Sequence, residues 1–190
     1  PLFPLGTVLF PAGYLPLQIF EVRYLDMIGK CHKAGLPFGI VSLKRGSEVR
    51  QAPSQTPGGD SFAQEIFDEV GTLAHITHLS RPQSGLLLIQ CMGLQRFRVT
   101  RHELLKHGLW VADVQVVADD RAVAIPPDLQ PVARALERVI HTLQLQGTAP
   151  DQMPMQAPYR LADCAWVANR WCELLPMALE LKHRLMALDN

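Results

Sequence analysis

The chain has 190 residues, 48% of them hydrophobic and 19% charged, with Lys+Arg and Asp+Glu balanced at 18 each. That length suffices for one full core, or a medium domain with a smaller one, and needs no metal or disulfide to hold it. Neutrality argues against a nucleic-acid or anionic-membrane partner, both of which call for a basic excess or patch, and no run approaches the ~18 apolar residues of a membrane span.

The opening, PLFPLGTVLFPAGYLPLQIFEVRY, is too apolar for a linker and too rich in proline for the middle of an ordinary strand. It carries no positive charge before Arg23, so it does not read as a signal peptide. Thr7–Pro11 and Tyr14–Phe20 read as two short β pieces, placed at edges or bulges by Pro11 and Pro16. From Glu21 the period becomes helical: Tyr24, Met27, Ile28, Cys31 and Ala34 form a stripe, and Gly35 stands where such a helix stops. Pro37–Lys44 reads as a strand, and Arg45–Ser61 has loop composition. Val70–Leu79 and Gly85–Gly93 follow as strands joined by the turn signal SRPQS. Leu94–Val99 alternates, with Arg96 and Arg98 on one face and Phe97 and Val99 on the other; Trp110–Val117 closes the β-rich part.

Past Asp119-Asp120 the pattern turns helical. Pro126-Pro127-Asp128 is a helix start, and Leu129, Val132, Ala133, Leu136, Val139, Ile140 and Leu143 make a 3,4-spaced stripe. Gly147–Pro158 reads as a loop, followed by helices over Arg160–Cys172 and Leu175–Leu188, the last burying Leu174, Leu181, Leu185 and Leu188. Strands with one early helix, then helices only, define an α+β chain with segregated halves, divided as residues 1–122 and 123–190.

Catalytic signatures are not found. Gly29-Lys30 lacks the upstream glycine of a phosphate cradle, and there is no G-x-G-x-x-G, G-x-S-x-G or H-E-x-x-H. His75 and His78 sit three apart on a strand and so point to opposite faces, poor geometry for a metal. Glu65, Asp68 and Glu69 read as a solvated acidic face. Cys31, Cys91, Cys164 and Cys172 form no C-x-x-C pair and read as reduced thiols of a cytoplasmic protein. No cofactor or metal is expected, and no enzymatic activity.

Four ordered motifs carry a resemblance. PLFPLGTVLFPAGYLPLQIFEVRYLDMI, Gly35–Val41 (GLPFGIV), Val70–Ile76 (VGTLAHI) and Gly93–Val99 (GLQRFRV) resemble the N-terminal domain of the Lon protease family in order and approximate spacing. Glu173–Asp189 is similar to the helical part that follows in that family. The resemblance implies a PUA-like β-barrel packed against a C-terminal helical bundle, acting in substrate recognition. It does not carry proteolysis over, since neither an ATPase motor nor a Ser-Lys proteolytic domain is present; the chain resembles stand-alone bacterial forms of the domain. Val22 stands where the family usually has proline.

The function expected is a non-catalytic module for polypeptides or partner proteins. Phe10, Tyr14, Leu15 and Leu17 of the opening strands are its candidate contacts, with the Arg45–Ser61 loop as rim and Arg96 and Arg98 as a basic face. The alternatives are RNA binding, because PUA-like folds include RNA binders, and a small-molecule or enzymatic cleft between barrel and helices.

Overall fold

The computed structural model describes residues 1–45 and 65–188. Six strands form one mixed sheet: β1 (Leu2–Leu5), β2 (Tyr14–Ile19), β3 (Phe38–Arg45), β4 (Ile66–Gln83), β5 (Leu86–Leu104) and β6 (Trp110–Val116). Their order is β2-β5-β4-β3-β1-β6, and β6 also returns to β5. The sheet therefore curls back on itself, and the seam between β1 and β6 is a single pair, Leu2 with Trp110. The expected loop Arg45–Ser61 lies, past Arg45, outside the described residues.

The first strand is not where its composition put it. Leu2–Leu5 pairs in parallel with β3, Leu2 opposite Gly39 and Leu5 opposite Ser42, and all four of its residues are buried. Val8, Leu9 and Phe10 are equally buried but run outside any ladder. Side chains and turns take up their carbonyls instead: Thr72 Oγ1 donates to Leu9 O at 2.6 Å, and Gly13 N donates to Phe10 O at 2.9 Å. A burial run alone does not separate a strand from a buried connector.

Helix α1 (Val22–Ala34) buries Tyr24, Met27, Ile28 and Cys31, and Gly35 ends it in the left-handed region at φ 64°. Its stripe joins Phe3, Leu5, Ile19, Phe38, Ile40, Ile76 and Ile89 in the main core. A second apolar cluster, Leu2, Val41, Phe97 and Val99, fills the other side of the curled sheet. β4 and β5 form a long hairpin that continues straight through the expected turn to Gln83, with three shifts of register between them. Those bulges let so long a pair bend.

Helices α2 (Gln130–Leu145), α3 (Cys164–Leu174) and α4 (Leu179–Met186) follow. α2 and α3 enclose their own core of Ala133, Leu136, Ile140, Trp166 and Val167, with Met153 and Met155 of the intervening loop. α3 starts later than its periodicity suggests, because Asp163 caps it, accepting from Ala165 N and Trp166 N. It stops at Leu175, held extended by the following Pro176. The apolar face expected for α4 is rotated: Met186 is buried, whereas Leu181 and Leu188 are exposed. Met186 packs with Val8, Phe10 and Val70, so a contact with the sheet rather than a leucine stripe sets the orientation of α4.

Candidate functional site

β2 pairs only with β5 among the described strands, Tyr14 opposite Met92 through Ile19 opposite Leu87, and its outer edge faces no strand. Pro16, which has no N–H to offer a neighbour, suits such an edge. A hollow of about 250 Å³ opens at each end of this strand.

Phe3, Leu5, Leu17, Ile19, Phe20 and Tyr24 line the first hollow, with Glu21 at its end. The Phe3 and Tyr24 rings stack at 3.9 Å between centroids, and Phe20 stands half exposed at the rim. In the F-E-x-R-Y segment, Phe20, Glu21 and Tyr24 line the hollow and Arg23 is buried behind them. Its Nε donates to Glu21 at 3.0 Å, its Nη1 to Gly108 O at 2.7 Å and its Nη2 to Glu65 at 3.3 Å. Glu65 also accepts from Trp110 Nε1 at 2.6 Å. Asp68 is buried against Lys44 at 2.5 Å and His183 at 3.4 Å. Of the acidic trio expected to be solvated, then, Glu65 and Asp68 are structural and Glu69 alone is exposed. Their partners, Arg23 and Trp110 for Glu65 and Lys44 and His183 for Asp68, lie far from them in the sequence.

Thr7, Val8, Leu9, Tyr14, Leu15, Pro154, Leu174, Glu173 and Lys182 line the second hollow. Arg170, with no exposed surface, anchors it. This residue donates to Ala12 O at 2.6 Å and Pro11 O at 3.0 Å, and grips Glu173 through two bonds of 2.6 and 2.8 Å. The turn it holds is unusual. Ala12 adopts a positive φ of 57°, and a side chain at Gly13 would collide with the Glu173 carboxyl and the Phe10 carbonyl. Burial pushes the Glu173 carboxyl up to about 7, against the pull of Arg170 and Lys182. Lys182 Nζ donates to the backbone oxygen of Glu173 at 3.0 Å.

The candidate residues therefore divide. Tyr14 and Leu15 line the second hollow and Leu17 the first, all three half-buried. Phe10 is fully buried beneath them with Val8, Val70 and Met186. Arg96 is buried too; it pairs with Asp120 and donates to Met186 O and Leu188 O, capping the end of α4. Arg98, on the same strand face, is exposed, since α4 covers only its neighbour. Sequence reasoning missed Arg170, Glu173 and Lys182. Their signal was a charged pair at i,i+3 spacing inside an apolar helix, Arg170 and Glu173, with no solvent-facing stripe to belong to.

His75 is half-buried and His78 exposed, and among the described residues no three His, Cys, Asp or Glu side chains assemble as a metal site. Cys31 and Cys91 are buried, which raises both thiols, Cys91 to about 12. No described helix is long and apolar enough to cross a membrane.

The described residues thus form a curled mixed sheet with a buried early helix and trailing helices, bearing a strand edge with a hollow at each end. The family model for the ATP-dependent protease La (LON) substrate-binding domain matches residues 1–190, and the chain belongs to that family, as a substrate-binding rather than a catalytic module. It is similar to a Lon protease of Anaeromyxobacter dehalogenans (strain 2CP-C), 26% identical over 156 residues. That match covers 78% of this chain but 17% of the relative, so the chain spans a small part of that protein's length. Among solved structures it is similar to the crystal structure of a Lon N-terminal domain protein from Xanthomonas campestris, with 27% identity and a TM-score of 0.71. The overlap covers 100% of this chain and 90% of that one. The N-terminal domain of a Mycobacterium avium complex Lon protease also matches, at 14% identity and a TM-score of 0.48, over 98% and 95% of the two chains.

Proposed function

We propose that the chain holds extended polypeptide along the free edge of β2, without catalysing any reaction itself. One observation carries the reading: an unpaired strand edge lies between two largely apolar hollows. A strand edge supplies main-chain hydrogen bonds to any sequence, and hollows at its ends take side chains. β2 is six residues long, about 20 Å, enough for a short extended segment. Tyr14, Leu15 and Leu17 are the contact residues, while Phe10 and Arg96 are buried and act in the fold, Arg96 by holding the end of α4. We further read the curled sheet as a PUA-like barrel closed through Leu2 and Trp110, the unit 1–122, with 123–190 as a helical unit packed on it, acting in the cytoplasm.

Binding of a permanently unfolded model protein, followed by fluorescence anisotropy, tests this. Micromolar affinity is expected, falling at least about tenfold, or about 1.4 kcal/mol, in Leu17→Asp with its circular dichroism unchanged. Binding no stronger than that of an unrelated β-barrel overturns it.

A further inference from the structure

We infer that the hollow at the start of β2 takes the C-terminal residue of an extended polypeptide, its free carboxylate on Lys182 and its side chain against Val8, Leu9, Leu15 and Leu174. The inference rests on the peptide-binding reading above and names the end of the peptide that enters this site.

The charged side chains lining the hollow are Glu173 and Lys182, and they do not form an ion pair with each other. Arg170 and Glu173 satisfy one another through two hydrogen bonds, and the rest of the Arg170 guanidinium is spent on the Pro11 and Ala12 carbonyls. Lys182 has only a backbone oxygen as partner, with no carboxylate within ion-pair distance among the described residues. Arg170, behind the wall, thus takes up the Glu173 carboxyl, and the Lys182 ammonium is left without an anionic partner among the described residues. An anionic guest supplies that partner, and a carboxylate on an ammonium makes one of the stronger hydrogen bonds available.

The walls select the rest of the guest. They are mainly apolar, with Thr7, the Tyr14 hydroxyl, Glu173 and Lys182 as their polar parts, and about 250 Å³ accommodates one large apolar side chain with its terminal carboxylate. Position supplies the direction. Tyr14 and Leu15, part of the wall, are the first residues of β2, whose free edge runs on to Ile19 and the first hollow. A chain ending at Lys182 has its preceding residues laid along that edge. An acidic side chain or a small organic acid shares the carboxylate but lacks either the apolar residue beside it or the backbone behind it.

Fluorescence anisotropy on the whole chain, with peptides labelled at the N-terminus, separates these cases. Four probes are needed: an eight-residue peptide ending in leucine as the free acid, the same peptide as its amide, an amidated peptide ending in glutamate, and 4-phenylbutyrate as competitor. The free acid is expected to bind about tenfold tighter than its amide, a gap that narrows as salt rises. Lys182→Gln is expected to abolish the gap and Lys182→Arg to keep it, both checked for folding by circular dichroism. Equal binding of acid and amide to the wild-type chain overturns the inference, whether or not a variant folds. So does a gap that survives Lys182→Gln, a glutamate-ended amide that matches the free acid, or 4-phenylbutyrate binding as tightly as the peptide. If acid and amide bind equally yet both weaken in Leu17→Asp, the peptide reading stands and this inference alone fails. If no peptide binds, both fail.

Discussion

Replacing Arg170 with methionine keeps the length of the side chain but removes a guanidinium that has no exposed surface. Four hydrogen bonds go with it, two to the Glu173 carboxylate and two to the Pro11 and Ala12 carbonyls. Breaking a buried ion pair from one side costs about 3–5 kcal/mol, because the remaining charge is stranded. Here the stranded group is a carboxyl that burial already pushes up to about 7, so taking up a proton relieves part of the penalty. Each stranded carbonyl adds about 1 kcal/mol where water cannot reach it. The sum is a loss of about 4 kcal/mol, a large share of the roughly 5–15 kcal/mol that holds a domain together. In a chain of this size that lowers the melting temperature by about 10 °C. Urea denaturation at pH 7.5 measures it, alongside Glu173→Gln and the double variant. The double variant is expected to be more stable than Arg170→Met alone, since it removes the stranded acid. A loss below about 1 kcal/mol for Arg170→Met, or a double variant no better than the single one, would refute the reasoning.

The Glu173 carboxyl also sets a pH dependence. Its folded value, about 7, lies above its ordinary 4.5, so the folded state holds this proton more tightly than the unfolded one. Its contribution to stability is complete below about pH 4.5 and is lost as pH rises to 7, and Glu173→Gln should remove that slope from a plot of unfolding free energy against pH. Gly13→Ala should cost about 2–3 kcal/mol through its collisions with Glu173 and Phe10, whereas Gly35→Ala, which meets nothing within 4 Å, should cost about 1 kcal/mol for its positive φ alone; chemical denaturation ranks the two. Phe10→Ala should lose about 3–5 kcal/mol, while Arg98→Ala, on an exposed strand face, should stay within about 0.5 kcal/mol in the same assay.

Where local pattern and burial coincide, the fold was legible. The stripe Tyr24, Met27, Ile28, Cys31 with Gly35 behind it is α1 almost to the residue, because one helix face meets one core. β2 was legible because Pro16 marks an edge wherever it occurs in a strand. Long-range pairing was not. Leu2–Leu5 is a strand through its pairing with β3, while the more strand-like Thr7–Pro11 is not, and nothing local separates them. Charged residues failed for a related reason. Arg96 and Arg170 look like surface residues, and their burial depends on Asp120, the end of α4 and the Pro11–Ala12 carbonyls, groups remote in sequence from one or the other. The candidate site was half visible accordingly: its apolar strand could be read, but its polar end, built from helices on the far side of the chain, could not.

The place of β1 bears on how the molecule forms. Residues 2–5 lie between β3 and β6, and residue 2 pairs with residue 110. The sheet cannot be completed until the opening segment has met a hairpin made much later, and ordering so long an intervening stretch precedes the reward. Chains dominated by such distant pairings fold in about milliseconds to seconds rather than microseconds. Without β1 in place, β3 and β6 each present a bare strand edge, so a half-formed molecule is a template on which a foreign extended segment can pair.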